Sequence, residues 1–127
     1  MREADRPSDG GALGSRELEF RVSSERSNGT CVVCVSGEVD LYAAPRLENE
    51  LKDAIRSGAK HLLVDLSEVP FIDSSGLGVL LGAARKIGRE NFALTGVQPQ
   101  VARVLLTIGA SWLLKVSDGA EEEGELA

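Results

Sequence analysis

The sequence has few of the cysteine and histidine residues that form zinc and redox sites. It contains two cysteines, Cys31 and Cys34, and a single histidine, His61. The cysteines form a C-x-x-C, but positions i and i+3 of a strand point to opposite faces, so the two thiols diverge. A zinc site built on this spacing would need a second cysteine pair, and none exists. We therefore expect no metal site and no redox role, and we expect both cysteines to fill the core.

Basic charge and long apolar runs are also scarce. Fourteen Lys and Arg residues stand against twenty Asp and Glu residues, which gives a formal net charge of −6. This balance disfavours nucleic acid and anionic membrane surfaces as partners, because nucleic-acid affinity rests on basic side chains that neutralise phosphates. No apolar run approaches the roughly 20 residues of a membrane span, and the N-terminus lacks the apolar core of a signal peptide. We expect a cytoplasmic protein.

Length and composition predict one domain with flanking polar segments. A chain of 127 residues with 43% hydrophobic content is long enough for a single core. Residues 1–16 are polar, contain glycine and proline and show no period, which predicts a disordered N-terminal arm. We place the folded domain at residues 17–117 and an acidic, glutamate-rich tail at residues 118–127.

The periodicity of apolar residues predicts the order β-β-α-β-α-β-α-β. The strands are expected around Leu18–Val22, over 30–36, 62–66 and 91–95, and finally at Leu113, Leu114 and Val116. The helices are expected from residue 43 or 44 to 56, from 74 to 87 or 88, and from Pro99 to about 108. The second strand is apolar on both faces, which predicts cover on both sides. An opening hairpin followed by helical crossovers predicts a mixed α/β sheet with parallel inner strands.

The stretch from Asp65 to Ala84 runs from an apolar strand through a turn at Pro70 into a helix. Asp73 or Ser74 can cap that helix. Its predicted buried face consists of Leu77, Leu80, Leu81, Ala84 and Ile87. Ser74 and Ser75 then lie on the first turn, where we expect them exposed beside free backbone N–H groups at the positive end of the helix dipole. A hydroxyl in that position is suited to carry a phosphate.

Three glycines and one upstream aspartate add to this picture. Gly76, Gly78 and Gly82 each cost about 1 kcal/mol relative to alanine inside a helix. They indicate that something approaches the helix backbone closely, either the sheet beneath or a partner that lies across the helix start.

Asp40 follows the second strand as Ser74 follows the third, so both should lie at the carboxyl edge of the parallel strands.

The segment Phe71-Ile-Asp-Ser-Ser-Gly-Leu-Gly-Val-Leu-Leu81 resembles the signature of a STAS domain. Leu63-Val-Asp-Leu66 and Val35-Ser-Gly-Glu-Val-Asp40 precede it, and the resemblance extends from about Glu17 to Val116. The chain is most similar to small bacterial anti-sigma factor antagonists. The resemblance implies an α/β STAS fold, a four- to five-stranded mixed sheet with three or four helices packed mainly on one side.

The resemblance also implies a function without catalysis or cofactor. The unphosphorylated antagonist would bind an anti-sigma factor, a serine kinase of the histidine-kinase-like ATPase fold, and so free a sigma factor. Ser74 would be the phosphoacceptor, and a PP2C-type phosphatase would restore activity. Ser75 would shape the acceptor site, and Asp40 would lie nearby and help to engage the partner. The partner-binding set implied in this way is Asp40, Asp73, Ser74, Ser75, Gly76, Leu77 and Gly78.

Other interpretations fit the residues less well. A serine enzyme acting through Ser74 would need a base, and the chain has only His61 and no G-x-S-x-G elbow. A receiver domain, which is phosphorylated on aspartate, needs acidic residues clustered at the ends of two strands and a lysine near the last strand. Asp40, Asp65 and Lys115 match this pattern loosely, but the pair of acidic residues expected near the start of the chain is missing. No G-x-x-x-x-G-K cradle supports nucleotide binding. A non-catalytic STAS scaffold or a ligand-binding STAS module stays open as the alternative.

Overall fold

The computed structural model describes residues 19–114. Four strands form within them: β1 (Arg21–Ser27), β2 (Thr30–Ser36), β3 (His61–Glu68) and β4 (Phe92–Thr95). Three α-helices follow the later strands: α1 (Ala44–Arg56), α2 (Ser74–Ile87) and α3 (Pro99–Thr107). Two short 3₁₀ helices occupy Arg89–Asn91 and Ser111–Leu114.

The strands form one mixed sheet in the order β1-β2-β3-β4. β1 pairs with β2 antiparallel, whereas β2–β3 and β3–β4 are parallel. The hairpin turns at Asn28 and Gly29, whose φ angles of 49° and 85° match the two positive values that a type I′ turn requires. This confirms the predicted mixed sheet with parallel inner strands. The first strand begins later than expected, at Arg21, after the buried Phe20.

The core lies between one face of the sheet and the three helices. Inward positions alternate along the strands with a period of two, and the helices contribute one stripe each. The largest fully buried side chains are Phe92, Leu47, Leu51, Leu62, Leu66, Leu80, Leu94, Leu105, Leu113, Val33, Val39 and Val64. The predicted face of α2 is buried at Leu77, Leu80 and Ala84, while Leu81 and Ile87 are only half-buried.

On the opposite face of the sheet, the described residues 19–114 cover β2 only in part, which corrects the expected burial of β2 on both sides. Cys31, Val33 and Val35 are buried, but Val32 is half-buried and Cys34 is exposed. The two thiols do point to opposite faces, as predicted, but only Cys31 fills the core. The apolar content of β2 therefore did not indicate a second covering layer, because a face rich in small apolar side chains can also border solvent.

The exposed thiol of Cys34 provides a test of this arrangement. The pKa of the Cys34 thiol is raised, mainly because partial burial at the sheet surface disfavours the thiolate. The negative charges of Asp65 and Glu25 raise this pKa further. Because the thiolate is the nucleophile, Cys34 should react with iodoacetamide more slowly than free cysteine at neutral pH and gain rate as the pH rises. Asp65→Asn should accelerate the reaction at neutral pH, and the exposed Asp53→Asn should not. Equal rates for both variants would contradict this assignment.

The expected final strand is wrong. Leu113 and Leu114 lie in the 3₁₀ helix, where the Leu113 N–H donates to Ala110 O at 3.0 Å, and Val116 lies outside the described residues. Gly109, with φ of 77°, ends the preceding helical segment and starts this turn. One helical turn already buries Leu113 completely against the core, so an apolar run this short does not need a strand.

The expectations for the two chain ends fall outside the described residues. The arm at residues 1–16 and the acidic tail at 118–127 both belong to those parts of the chain. Among the helices of residues 19–114, none is long and apolar enough to cross a membrane.

Candidate functional site

Two connecting segments meet at the carboxyl edge of the sheet. The segment after β2 and the segment before α2 pair through an isolated bridge between Val39 and Ile72. The Val39 N–H donates to Phe71 O at 3.0 Å, and the Asp73 N–H donates to Val39 O at 3.1 Å. This bridge brings Asp40 and the start of α2 to the same edge, as the order of the strands predicted.

Asp73 is the N-cap of α2. Its backbone is extended, and its Oδ1 accepts hydrogen bonds from the N–H groups of Ser75 at 2.8 Å and Gly76 at 3.2 Å. The Leu77 N–H donates to Asp73 O at 3.0 Å. The expectation of free N–H groups beside Ser74 and Ser75 is therefore wrong for Ser75 and Gly76. The carboxylate already offsets the positive end of this helix at the point where a phosphate would add charge.

Ser74 is the first residue of α2 and is exposed, whereas Ser75 is half-buried. Within residues 19–114, the Ser74 hydroxyl has no hydrogen-bond partner. An unengaged, solvent-facing hydroxyl on a capped helix start is open to a modifying enzyme. Of the two adjacent serines, Ser74 has the more accessible position.

The three glycines of α2 differ in their surroundings. A methyl group at Gly76 would lie 2.6 Å from Val39 Cγ1 and 2.7 Å from Ile72 Cγ1, closer than carbon atoms can approach. Gly76 is thus needed for the close packing of the helix start on the Val39–Ile72 bridge. At Gly78 and Gly82, nothing lies within 4 Å of such a methyl group. The expected close approach is therefore confirmed within the fold only at Gly76.

The carboxylate of Asp40 is engaged in its own turn. Its Oδ1 accepts hydrogen bonds from the N–H groups of Tyr42 and Ala43, both at 3.0 Å, and its backbone oxygen accepts from Ala43 and Ala44. This Asx turn links β2 to α1, which carries Pro45 in its first turn. Asp40 shares the edge with Ser74, but its carboxylate holds the backbone that leads into α1.

Two glutamines from the start of α3 support the segment that leads to Ser74. Gln98 Nε2 donates to Ser67 O at 2.9 Å, and Gln100 Nε2 donates to Pro70 O at 3.1 Å. Sequence analysis missed both residues. Their partners are about thirty residues away along the chain, and glutamine at a helix start carries no local signal of such a contact.

The structure also places the groups that other chemistry would need. His61 begins β3, whereas Ser74 follows the end of that strand, so the two residues lie at opposite edges of the sheet. Over residues 19–114, no three His, Cys, Asp or Glu side chains are grouped in a way that could hold a metal ion.

Comparison with known proteins places this geometry in a family. The STAS domain family matches residues 21–122. The anti-sigma-B factor antagonist of Staphylococcus aureus is 32% identical over 93 residues, which cover 72% of this chain and 86% of that protein. An anti-sigma factor antagonist from Mycobacterium paratuberculosis has a solved structure that superposes with a TM-score of 0.69 at 31% identity, covering 76% of this chain and 83% of that one.

The anti-sigma factor antagonist SpoIIAA in its unphosphorylated form is also similar, with a TM-score of 0.65, 25% identity and coverage of 76% of this chain and 86% of that one. The matched family, the mixed sheet with its three helices and these relatives agree with the resemblance seen in the signature around Ser74. The chain belongs to the STAS domain family and is of the anti-sigma factor antagonist type.

Proposed function

We propose that this protein binds an anti-sigma factor through the edge that carries Ser74, thereby frees a sigma factor, and is switched off by phosphorylation of Ser74. The partner is proposed to be a serine kinase of the histidine-kinase-like ATPase fold, and a PP2C-type phosphatase would reverse the modification. The protein itself acts by binding and not by catalysis, in the cytoplasm. Its relatives are anti-sigma factor antagonists, and one of them, SpoIIAA, has a solved structure in its unphosphorylated form.

The exposed Ser74 hydroxyl carries the proposal. It is the first residue of a helix whose position is set by the Val39–Ile72 bridge and by the Asp73 cap, so it is presented in one defined place. A kinase needs an accessible hydroxyl held in a fixed geometry, because correct positioning supplies most of the catalysis in phosphoryl transfer.

The predicted partner-binding residues take different parts in this proposal. Ser74 and Gly78 are exposed and available for direct contact, and Asp73 and Ser75 are half-buried beside them. Gly76 and Leu77 are buried, so we assign them to holding the helix start against the core. Asp40 is considered separately below, because its carboxylate is engaged in a turn.

The test is phosphorylation by a candidate anti-sigma kinase with Mg·ATP, followed by intact mass measurement and peptide mapping. We expect a single phosphoryl group on Ser74, its absence in Ser74→Ala, and its retention in the matched variant Ser75→Ala. A phosphoryl group that persists in Ser74→Ala would contradict the proposed acceptor. Tight binding of the kinase without any phosphorylation would favour the scaffold alternative, and no binding to any such kinase would favour the ligand-binding module.

A further inference from the structure

Three large apolar side chains are exposed at the edge that carries Ser74. Leu41 is 61% exposed, Tyr42 is 85% exposed and Phe71 is 47% exposed. Leu41 and Tyr42 follow Val39 by two and three residues, and Phe71 accepts a backbone hydrogen bond from Val39. The Val39–Ile72 bridge therefore gathers all three beside the start of α2. Elsewhere in residues 19–114, the only exposed large apolar side chains are Leu106 and Ile108, near the far end of α3.

The backbone dictates this exposure. The Asp40 carboxylate accepts the N–H groups of Tyr42 and Ala43, so the turn buries Ala43 and leaves Leu41 and Tyr42 pointing to solvent. In the extended segment before α2, Ile72 is 3% exposed and faces the core, so its neighbour Phe71 faces outward. Both segments are tied to the bridge by hydrogen bonds, so the apolar side chains project from a supported backbone.

We propose that Leu41, Tyr42 and Phe71 form the apolar docking surface for the anti-sigma factor, and that Asp40 acts as a positioning residue that holds this surface in place. This inference rests on the proposed function of Ser74. An interface of standard size buries about 800 Å² on each partner, so a protein that reaches the Ser74 hydroxyl also covers the adjoining turns. Buried interface centres are rich in aromatic side chains and poor in charge, which matches the chemistry of these three residues.

The partner chemistry follows from the same residues. The anti-sigma factor should present an apolar surface that accepts Leu41 and Phe71, together with a hydrogen-bonding group for the Tyr42 hydroxyl. Affinity would then come from the apolar contacts, and the state of Ser74 would decide whether they can form. Leu41, Tyr42 and Phe71 would provide the affinity for the anti-sigma factor, and the neighbouring Ser74 would control whether binding occurs.

The first experiment compares matched truncations of exposed apolar side chains. The double variant Leu41→Ala/Tyr42→Ala and the single variant Phe71→Ala should each weaken binding of the anti-sigma kinase by about tenfold or more, as expected for central interface residues. The control variants Leu106→Ala and Ile108→Ala remove side chains of similar exposure, 61% and 49%, from the far end of α3. They should change the dissociation constant by less than about twofold, because most binding energy comes from a few residues inside the interface.

The second experiment separates positioning from direct charge contact at Asp40. Asp40→Asn keeps a side-chain oxygen that can accept the Tyr42 and Ala43 N–H groups, whereas Asp40→Ala removes it. We expect Asn to bind the kinase nearly as wild type and Ala to weaken binding by about tenfold, since it releases the docking turn. Unfolding in urea, followed by Trp112 fluorescence, shows that each variant is folded at the assay concentration. Equal losses in Asn and Ala would overturn the positioning role.

The outcomes distinguish this inference from the proposed function. If wild-type protein binds the kinase and is phosphorylated on Ser74 while the Leu41, Tyr42 and Phe71 variants bind as tightly as wild type, the docking surface is wrong and the function stands. If wild-type protein neither binds nor is phosphorylated, both are wrong. If the Leu106 and Ile108 controls lose as much affinity as the docking variants, the apolar effect is not local and the inference is overturned.

Discussion

Ser74→Asp is expected to weaken binding of the anti-sigma factor by more than a hundredfold, whereas Ser74→Ala should bind it as tightly as wild type and stay bound when ATP is present. A charge at this position must lose its water when the partner covers the edge. A loss of about 3 kcal/mol is enough for a hundredfold change, because about 1.4 kcal/mol corresponds to a factor of ten. Unpaired charges buried in an interface reach that magnitude.

The Asp73 cap strengthens this expectation. Its carboxylate already accepts hydrogen bonds from the N–H groups of Ser75 and Gly76, so these donors are not available to a new carboxylate on residue 74. The new charge instead lies next to Asp73 in the chain, and the repulsion between the two carboxylates grows when a partner excludes water from this edge. A phosphoryl group carries about −1.5 to −2 charges and should act more strongly than aspartate.

The matched control for the charge is Ser111→Asp. Ser111 is also an exposed serine at the first position of a helical turn, but that turn follows α3 and lies away from the Ser74 edge. It adds the same charge to the protein and should leave the dissociation constant within about twofold of wild type, because salt screens an exposed charge that lies outside the interface. Titration calorimetry with the kinase and nucleotide measures both variants. Wild-type affinity in Ser74→Asp, or an equal loss in Ser111→Asp, would contradict a local charge switch.

The order of the strands and helices and the start of α2 at Ser74 could be predicted because both depend on local sequence patterns. Each of these features depends only on residues close together in the chain. Examples are the 3.6-residue period of α1 and α2, the turn at Asn28 and Gly29, and the aspartate before Ser74. Asp73 is the observed cap for the same reason, since capping depends on the adjacent N–H groups. The shared edge of Asp40 and Ser74 then followed from the parallel order of β2 and β3, because the carboxyl ends of parallel strands lie at the same edge of a sheet.

The parts that were missed depend on contacts between distant residues. Periodicity places Cys34 and Cys31 on opposite faces of β2 but does not say whether a layer covers both faces. In the described part of the chain, Cys34 is exposed. The hydrogen bonds from Gln98 and Gln100 to the segment before Ser74 join residues about thirty positions apart. The N–H groups of Ser75 and Gly76 are occupied because the Asp73 carboxylate accepts both, and a capped helix start does not leave these groups free.

Gly76→Ala is expected to destabilise the protein by about 2 kcal/mol, although alanine is the better helix former. The added methyl group would lie 2.6 Å from Val39 Cγ1, 2.7 Å from Ile72 Cγ1 and 3.0 Å from Val39 O, so the bridge and the helix must separate. The matched variant Gly78→Ala meets nothing within 4 Å on the same helix and should gain up to about 1 kcal/mol in stability. Urea unfolding followed by Trp112 fluorescence measures both changes.

The same substitution should reach the functional edge, because the atoms that Gly76 contacts belong to the residues that join the two segments. Moving Val39 shifts the backbone oxygen that accepts the Asp73 N–H, and with it the Asp73 cap and the Asp40 turn. Gly76→Ala should therefore lose kinase affinity even at temperatures where it is fully folded, whereas Gly82→Ala, which meets nothing within 4 Å and lies outside the predicted partner-binding set, should keep it. Equal stability of Gly76→Ala and Gly78→Ala would mean that the helix start can move away from the bridge freely. In that case, the rigid presentation of Ser74 could not depend on the close packing at Gly76.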